Sequence, residues 1–296
     1  MKALVTSFAL AGMLATSSLC VPALAADMPL KAPPPAPVVQ PSWTGFYIGG
    51  EVGYGWSGDN NATFAPNDPP AARLLNGTIG FVGEQPVVGS VPVSRKGAVG
   101  GFEAGYNWQI GAWVWGLETD INFAHLSGQG SGTSVVQGPP AATFMQSVNG
   151  GQGTDWYGTF RGRLGWLWTP NLLLFGTGGL AYGHTSEAAN YGFTGPLPGN
   201  ILVNLNGFSF ACAANATCFQ GANSATKVGW TAGGGAEWLI YRNWSVKAEY
   251  QFVDLGTQTV RASAGVLAVP GTALSSFNAV FRDEIHVVRA GINYHF

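Results

Sequence analysis

Apolar and polar positions alternate with a period of two along "TDWYGTFRGRLGW", residues 154–166. Trp156, Phe160, Leu164 and Trp166 share one face with Gly158 and Gly162, whereas Asp155, Tyr157, Thr159, Arg161, Arg163 and Gly165 share the other. That period belongs to a β-strand, whose successive side chains leave opposite faces of a sheet. The pattern returns in seven further segments: "TGFYIGGEVGYGW" from Thr44, "KGAVGGFEAGYNW" from Lys96, "WVWGLETDINF" from Trp113, "LLLFGTGGLAYGH" from Leu172, "KVGWTAGGGAEW" from Lys227, "WSVKAEYQF" from Trp244 and "HVVRAGINYHF" from His286. Most run 11–13 residues, close to the length of a tilted bilayer crossing, about 9–11 residues.

Short connections join segments two and three ("QIGA"), four and five ("LWTPN"), and six and seven ("IYRN"). The remaining connections, roughly 57–95, 124–153, 185–226 and 255–280, are long and rich in Gly, Pro, Asn, Ser and Thr, and read as loops. Short turns at one end and long loops at the other are the mark of an outer-membrane barrel. The expected fold is all-β: an eight-stranded antiparallel up-and-down transmembrane β-barrel over residues 43–296.

The two faces differ in charge. One parity collects Glu51, Glu103, Glu118, Asp120, Arg161, Arg163, Glu237, Lys247, Glu249 and Arg289, and the other nearly all aromatic and aliphatic residues. A soluble barrel with an apolar interior would expose the ions. Eight strands enclose a bore just wide enough for their side chains, so thirty or so apolar residues would overfill it. Tryptophans cluster at segment ends, at Trp43, Trp56, Trp108, Trp113, Trp156, Trp166, Trp238 and Trp244, as interfacial girdles do. A base facing the lipid midplane costs about 2–4 kcal/mol. In the bore it can pair with carboxylates instead. The ten charged residues are therefore expected to form a lumen network and to leave no wide aqueous path.

Composition agrees. Charged residues are 9% of the 296, far below the ~25% of soluble domains, and there are 44 glycines. No apolar run after the first 25 residues could span a membrane as a helix, and in lipid only a closed barrel otherwise satisfies the backbone. Lys2, the apolar stretch Leu4–Leu19 and Ala23-Leu24-Ala25 form a signal peptide over 1–25. Its loss removes Lys2 and shifts the net charge from −2 to about −3, which does not suit nucleic acid. A Pro-rich periplasmic leader follows over 26–42.

Candidate chemistry is sparse. Cys212 and Cys218 are a candidate disulfide pair, expected in an exported chain to staple a small loop. His125, His286 and His295 show no ligand spacing, so no metal and no cofactor is expected. Gly-rich runs lack the helix or Lys-Ser/Thr that phosphate loops require. His184 and Ser186 share a face at the end of segment five, the spacing of a base and nucleophile in an outer-membrane lipid hydrolase. Glu187 has the wrong parity to complete a triad. The expected protein is not an enzyme.

"WTGFYIGGEVGYGW" at 43–56, "WYGTFRGRLGW", "GTGGLAYG" and the ending "RAGINYHF" resemble motifs of the small outer-membrane immunogenic proteins of alphaproteobacteria. The resemblance spans the mature chain and implies a porin-like family with an OmpA-type barrel, integral to the outer membrane. It implies roles in envelope integrity and in host contact through long extracellular loops, and carries over no catalytic residue. With an even strand number both termini are expected in the periplasm. Expected partners are outer-membrane lipid and lipopolysaccharide, the barrel-assembly machinery, which would read Ile292, Tyr294 and Phe296, and a host or surface ligand at the loops. A small porin-like conduit is the alternative function.

Overall fold

The structure is a computed structural model that describes residues 42–58, 60–77, 89–138, 142–195 and 200–296. The expected signal peptide and all but the last residue of the expected Pro-rich leader lie outside the described residues. Eight long strands follow one another: β1 (Gly45–Trp56), β2 (Lys96–Ile110), β3 (Trp113–Gly138), β4 (Ala142–Thr169), β5 (Leu172–Thr194), β6 (Ala216–Tyr241), β7 (Trp244–Ala264) and β8 (Ser276–His295). Each pairs antiparallel with its neighbour in sequence, and β1 pairs with β8 from Tyr47↔His295 to Trp56↔His286, which closes the barrel. Two residues join β2 to β3, β4 to β5 and β6 to β7, so the predicted short turns are tight hairpins.

The long connections are not the loops that their composition suggests. Their flanks continue the strands, which reach 26 residues in β3 and 28 in β4, more than twice the length of a crossing. Ser, Gly, Thr and Gln fill the outward positions there (Ser127, Gln129, Ser131 and Thr133 on β3), and the backbone still pairs residue by residue across the β3–β4 hairpin. Above the end of β1 the wall is completed by Asn61–Pro66, which pairs with β8, and by Ser90–Pro92 beside it. Between them a helix, α1 (Pro69–Leu75), turns Ala71, Leu74 and Leu75 inward. Asp68 caps it, accepting from Ala71 N at 3.0 Å, and also accepts from Ser275 Oγ and Ser276 N, which ties the first connection to the last.

Lipid would meet a continuous apolar belt. On β3 it runs from Trp113 to Phe123 and on β7 from Trp244 to Phe252, with Trp108, Trp166 and Trp238 exposed near its turn-side edge. Trp43 does not belong to the girdle. It is 1% exposed, seated under the bore with its Nε1 donating to Pro170 O at 3.1 Å and its ring edge-on to His295. A residue ahead of β1 has no strand neighbour to hold it on the wall, and the open bore end offers a dry seat for an indole.

Register shifts mark the far edge of the belt: between Phe123 and Leu126, between Thr154 and Trp156, and between Asp254 and Thr257. Each is a bulge that adds a residue to one strand. The bore-facing set on β4 changes from odd (Tyr157, Thr159, Arg161, Arg163) to even (Thr154, Gln152, Val148, Phe144), and on β7 from odd to even past Gly256, whose φ is 81°. Asp155, which shares the parity of Arg161 and Arg163, sits in the β4 bulge and is exposed.

The bore is stratified. At the turn end Trp43, Val114, Leu173, Phe175 and Leu239 form an apolar cork. An ionic layer follows, then Val99, Leu126, Tyr157, Val253, Ile285 and Val287. Next comes a second ionic layer around Asp283. An apolar crown closes the far end, where Phe64, Leu74, Phe144, Tyr191, Phe193, Phe210, Phe219, Phe277 and Phe281 pack together. Room inside is short. A Cβ on Gly105 would stand 2.5 Å from the Tyr47 ring and 2.7 Å from Leu117 O, whereas Gly151 on the extension has nothing within 4 Å. Gly105→Ala should lower the stability of the lipid-embedded barrel by about 1–3 kcal/mol, read as an earlier urea midpoint. Gly151→Ala should shift it by less than about 0.5 kcal/mol.

Candidate functional site

The ionic layer of the bore draws one residue or more from seven strands. Alternation aims their side chains inward, and closure of the sheet brings residues far apart in sequence to one level. Glu51, Glu103, Glu118, Asp120, Arg161, Arg163, Glu237, Lys247, Glu249 and Arg289 are each at most 4% exposed. Arg161 on β4 is the hub. Its Nη2 contacts Glu118 and lies 3.0 Å from Asp120 Oδ2, and its Nη1 contacts Glu249 and donates to Thr177 Oγ1 at 3.1 Å. Arg289 on β8 bonds Glu51, with Glu249 at 2.8 Å and Asp120 at 3.2 Å.

Arg163 lies one step nearer the cork. It pairs with Glu237, donates to Tyr47 Oη at 3.3 Å, and stacks 3.9 Å from the centre of the Phe175 ring. Glu237 also accepts from Ser245 Oγ at 2.5 Å and Asn293 Nδ2 at 2.9 Å, and lies 3.2 Å from His295 Nε2. Tyr47 donates to Glu118 at 2.6 Å, and Thr159 to Asp120 at 2.7 Å. These neutral donors occupy carboxylate lone pairs that the cations leave over, the condition under which burial of ions is tolerable.

The carboxylates of Glu51, Glu103 and Glu249 approach within 4.8 Å of one another, the spacing of a cation site. The Lys247 ammonium already stands among them. It bonds Glu103 and lies 3.3 Å from Glu249, 3.5 Å from Glu118 and 3.9 Å from Glu51. A side-chain cation thus takes the place a metal would need.

The second ionic layer was not foreseen. Arg95 lies 3.0 Å from Asp283 and donates to Thr154 Oγ1 at 2.8 Å; Lys227 bonds Asp283 and lies 3.2 Å from Glu187. This layer is above the lipid belt, and burial raises the Glu187 carboxyl above its ordinary pKa and lowers that of the Arg95 guanidinium. Arg95 falls in a stretch read as loop. For Asp283 a signal existed: it lies two residues before Ile285, in phase with the bore-facing positions of β8.

The other predicted residues are placed as follows. Cys212 and Cys218 are disulfide-bonded, with Cα atoms 5.3 Å apart, and lie within the apolar crown. Ile292, Tyr294 and Phe296 share the outward face at the turn end; Tyr294 and Phe296 meet edge to face, and Phe296 N donates to Phe46 O at 2.9 Å. His184 and Ser186 are half-buried on the outward face of β5, while Glu187 faces the bore and Lys227.

A sequence profile described as the outer membrane protein beta-barrel domain matches residues 11–296. The chain is 32% identical over 289 residues to the 31 kDa outer-membrane immunogenic protein of Brucella melitensis, covering 97% of each. It is 26% identical over 224 residues to the 22 kDa outer membrane protein of Rhizobium leguminosarum bv. viciae, covering 76% of this chain and 70% of that one. Of solved structures, the outer membrane protein OprG from Pseudomonas aeruginosa aligns over 87% of this chain and all of its own, at 11% identity and a TM-score of 0.39. With its closed eight-stranded wall and apolar belt, the chain belongs to the outer membrane protein beta-barrel family.

Proposed function

We propose that this outer-membrane barrel is a sealed, non-enzymatic element of the envelope. It braces the membrane through its ion-paired bore and presents its extended end to the cell exterior for surface contacts. The observation that carries this reading is the filling of the bore: two ionic layers alternate with three apolar ones from Trp43 to the crown. Such a stack favours a brace over the porin-like alternative, because water has no polar path through the apolar layers.

An even strand number returns Trp43 and Phe296 to the same end, that of the short hairpins, which in bacterial barrels faces the periplasm. Both termini are assigned there on that ground. The belt would be solvated by outer-membrane lipid and lipopolysaccharide. The barrel-assembly machinery would read Ile292, Tyr294 and Phe296, and a host or surface ligand would meet the crown.

Purified protein reconstituted in planar bilayers should show no stable nanosiemens pore, and such a pore would overturn the sealed reading. Arg161→Met leaves Glu118, Asp120 and Glu249 without their common cation. It should cost about 3–5 kcal/mol in urea unfolding from lipid vesicles; an unchanged midpoint would remove the bracing role. Deletion of Phe296 should reduce the heat-modifiable, folded form recovered from outer membranes, and equal recovery would argue against an assembly signal.

A further inference from the structure

At the crown end the chain forms a second, three-stranded sheet, whose Ile201, Phe210 and Cys212 pack into the crown. Ile201–Leu205 and Phe208–Cys212 are a hairpin around Asn206-Gly207, whose φ values are 54° and 78°, and Ala273–Leu274 runs parallel to the second strand. The far edge of Phe208–Cys212 is satisfied: Ala211 N donates to Val266 O at 2.9 Å and Ser275 N to Ser209 O at 3.1 Å. Among the described residues nothing pairs with the far edge of Ile201–Leu205. In this register Ile201, Val203 and Leu205 direct their backbone groups into the hairpin, so Leu202 and Asn204 direct theirs away from it. Among the described residues neither has a backbone partner. Leu202 is 63% exposed, and Asn204 is exposed.

Natural sheet edges are kept apart by Lys, Pro or bulges. This strand has none, and no Asp, Glu, Lys or Arg occurs anywhere from 188 to 226. The open groups are self-complementary. If a second copy of the strand is laid antiparallel about Val203, Leu202 faces Asn204 of that copy and Asn204 faces its Leu202. All four open N–H and C=O groups on each strand are then paired, in the isologous arrangement of a two-fold dimer. We propose that Ile201–Leu205 is a self-association edge through which two copies of this chain pair by strand addition. The proposal rests on the preceding functional reading only in placing this edge outside the cell.

Sedimentation velocity of the full purified chain in detergent tests it. Wild type should form dimers. Leu202→Lys with Asn204→Lys sets like charges opposite one another and should weaken the dimer about tenfold or more. Leu202→Glu with Asn204→Lys sets opposite charges face to face and should restore it at low salt. Retention of the heat-modifiable gel shift shows that each variant is folded. Wild type that stays monomeric at every concentration, a dimer untouched by the Lys pair, or no rescue by the Glu–Lys pair would each overturn strand pairing. None of these outcomes depends on conductance or on membrane orientation.

Discussion

The barrel depends on one constraint: an ion in a lipid-embedded sheet must point into the bore, and there it must have a partner. Ten charged side chains share one level of a space that holds little else. Arg161 and Arg289 each touch three carboxylates, and Glu249 and Asp120 are shared between them. Because every ion is common to several strands, the network is met only when all eight strands are in register. A local rearrangement would strand at least one charge in a medium that cannot solvate it. The glycines of the bore-facing parity belong to the same constraint. Where a long side chain crosses, as Tyr47 does before Gly105, the facing strand has to withdraw its own.

The strands outlast the membrane, and the sign of their hydrophobic pattern reverses on the way. Within the belt apolar side chains face outward and ions face in; above it Ser, Gln and Thr face outward while, past the second ionic layer, Phe, Tyr, Val and Leu fill the inside. Only the solvent beyond the wall changes, from acyl chains to water. The bulges at the border allow the change on β4 and β7, where one extra residue moves the bore to the other parity. The extension is in effect a soluble barrel built on a membrane one. It has its own apolar core, a disulfide within that core, and a helix as part of its lid. The apolar crown and the cork at Trp43 shield the ions from water at both ends, which strengthens their pairing.

Much of this was legible along the chain. Period-two alternation in eight segments determined the strand count, the short hairpins, the face of every ion in the lumen network and the outward face of the C-terminal Ile292, Tyr294 and Phe296. These follow from local geometry, because adjacent side chains of a strand leave opposite faces whatever lies across from them. The closed sheet decided the rest. It decided that the Gly- and Ser-rich connections would be walls, since small polar residues carry no alternation contrast and pair only because a neighbouring strand is there. Closure also chose the partners. Arg161 meets Glu249 across 88 residues, Arg95 meets Asp283 across more than half of the sequence, and Trp43 leaves the girdle for the bore because an open end awaited it. A pattern of two residues tells which side a group faces; what it meets there depends on which strands the barrel brings opposite one another.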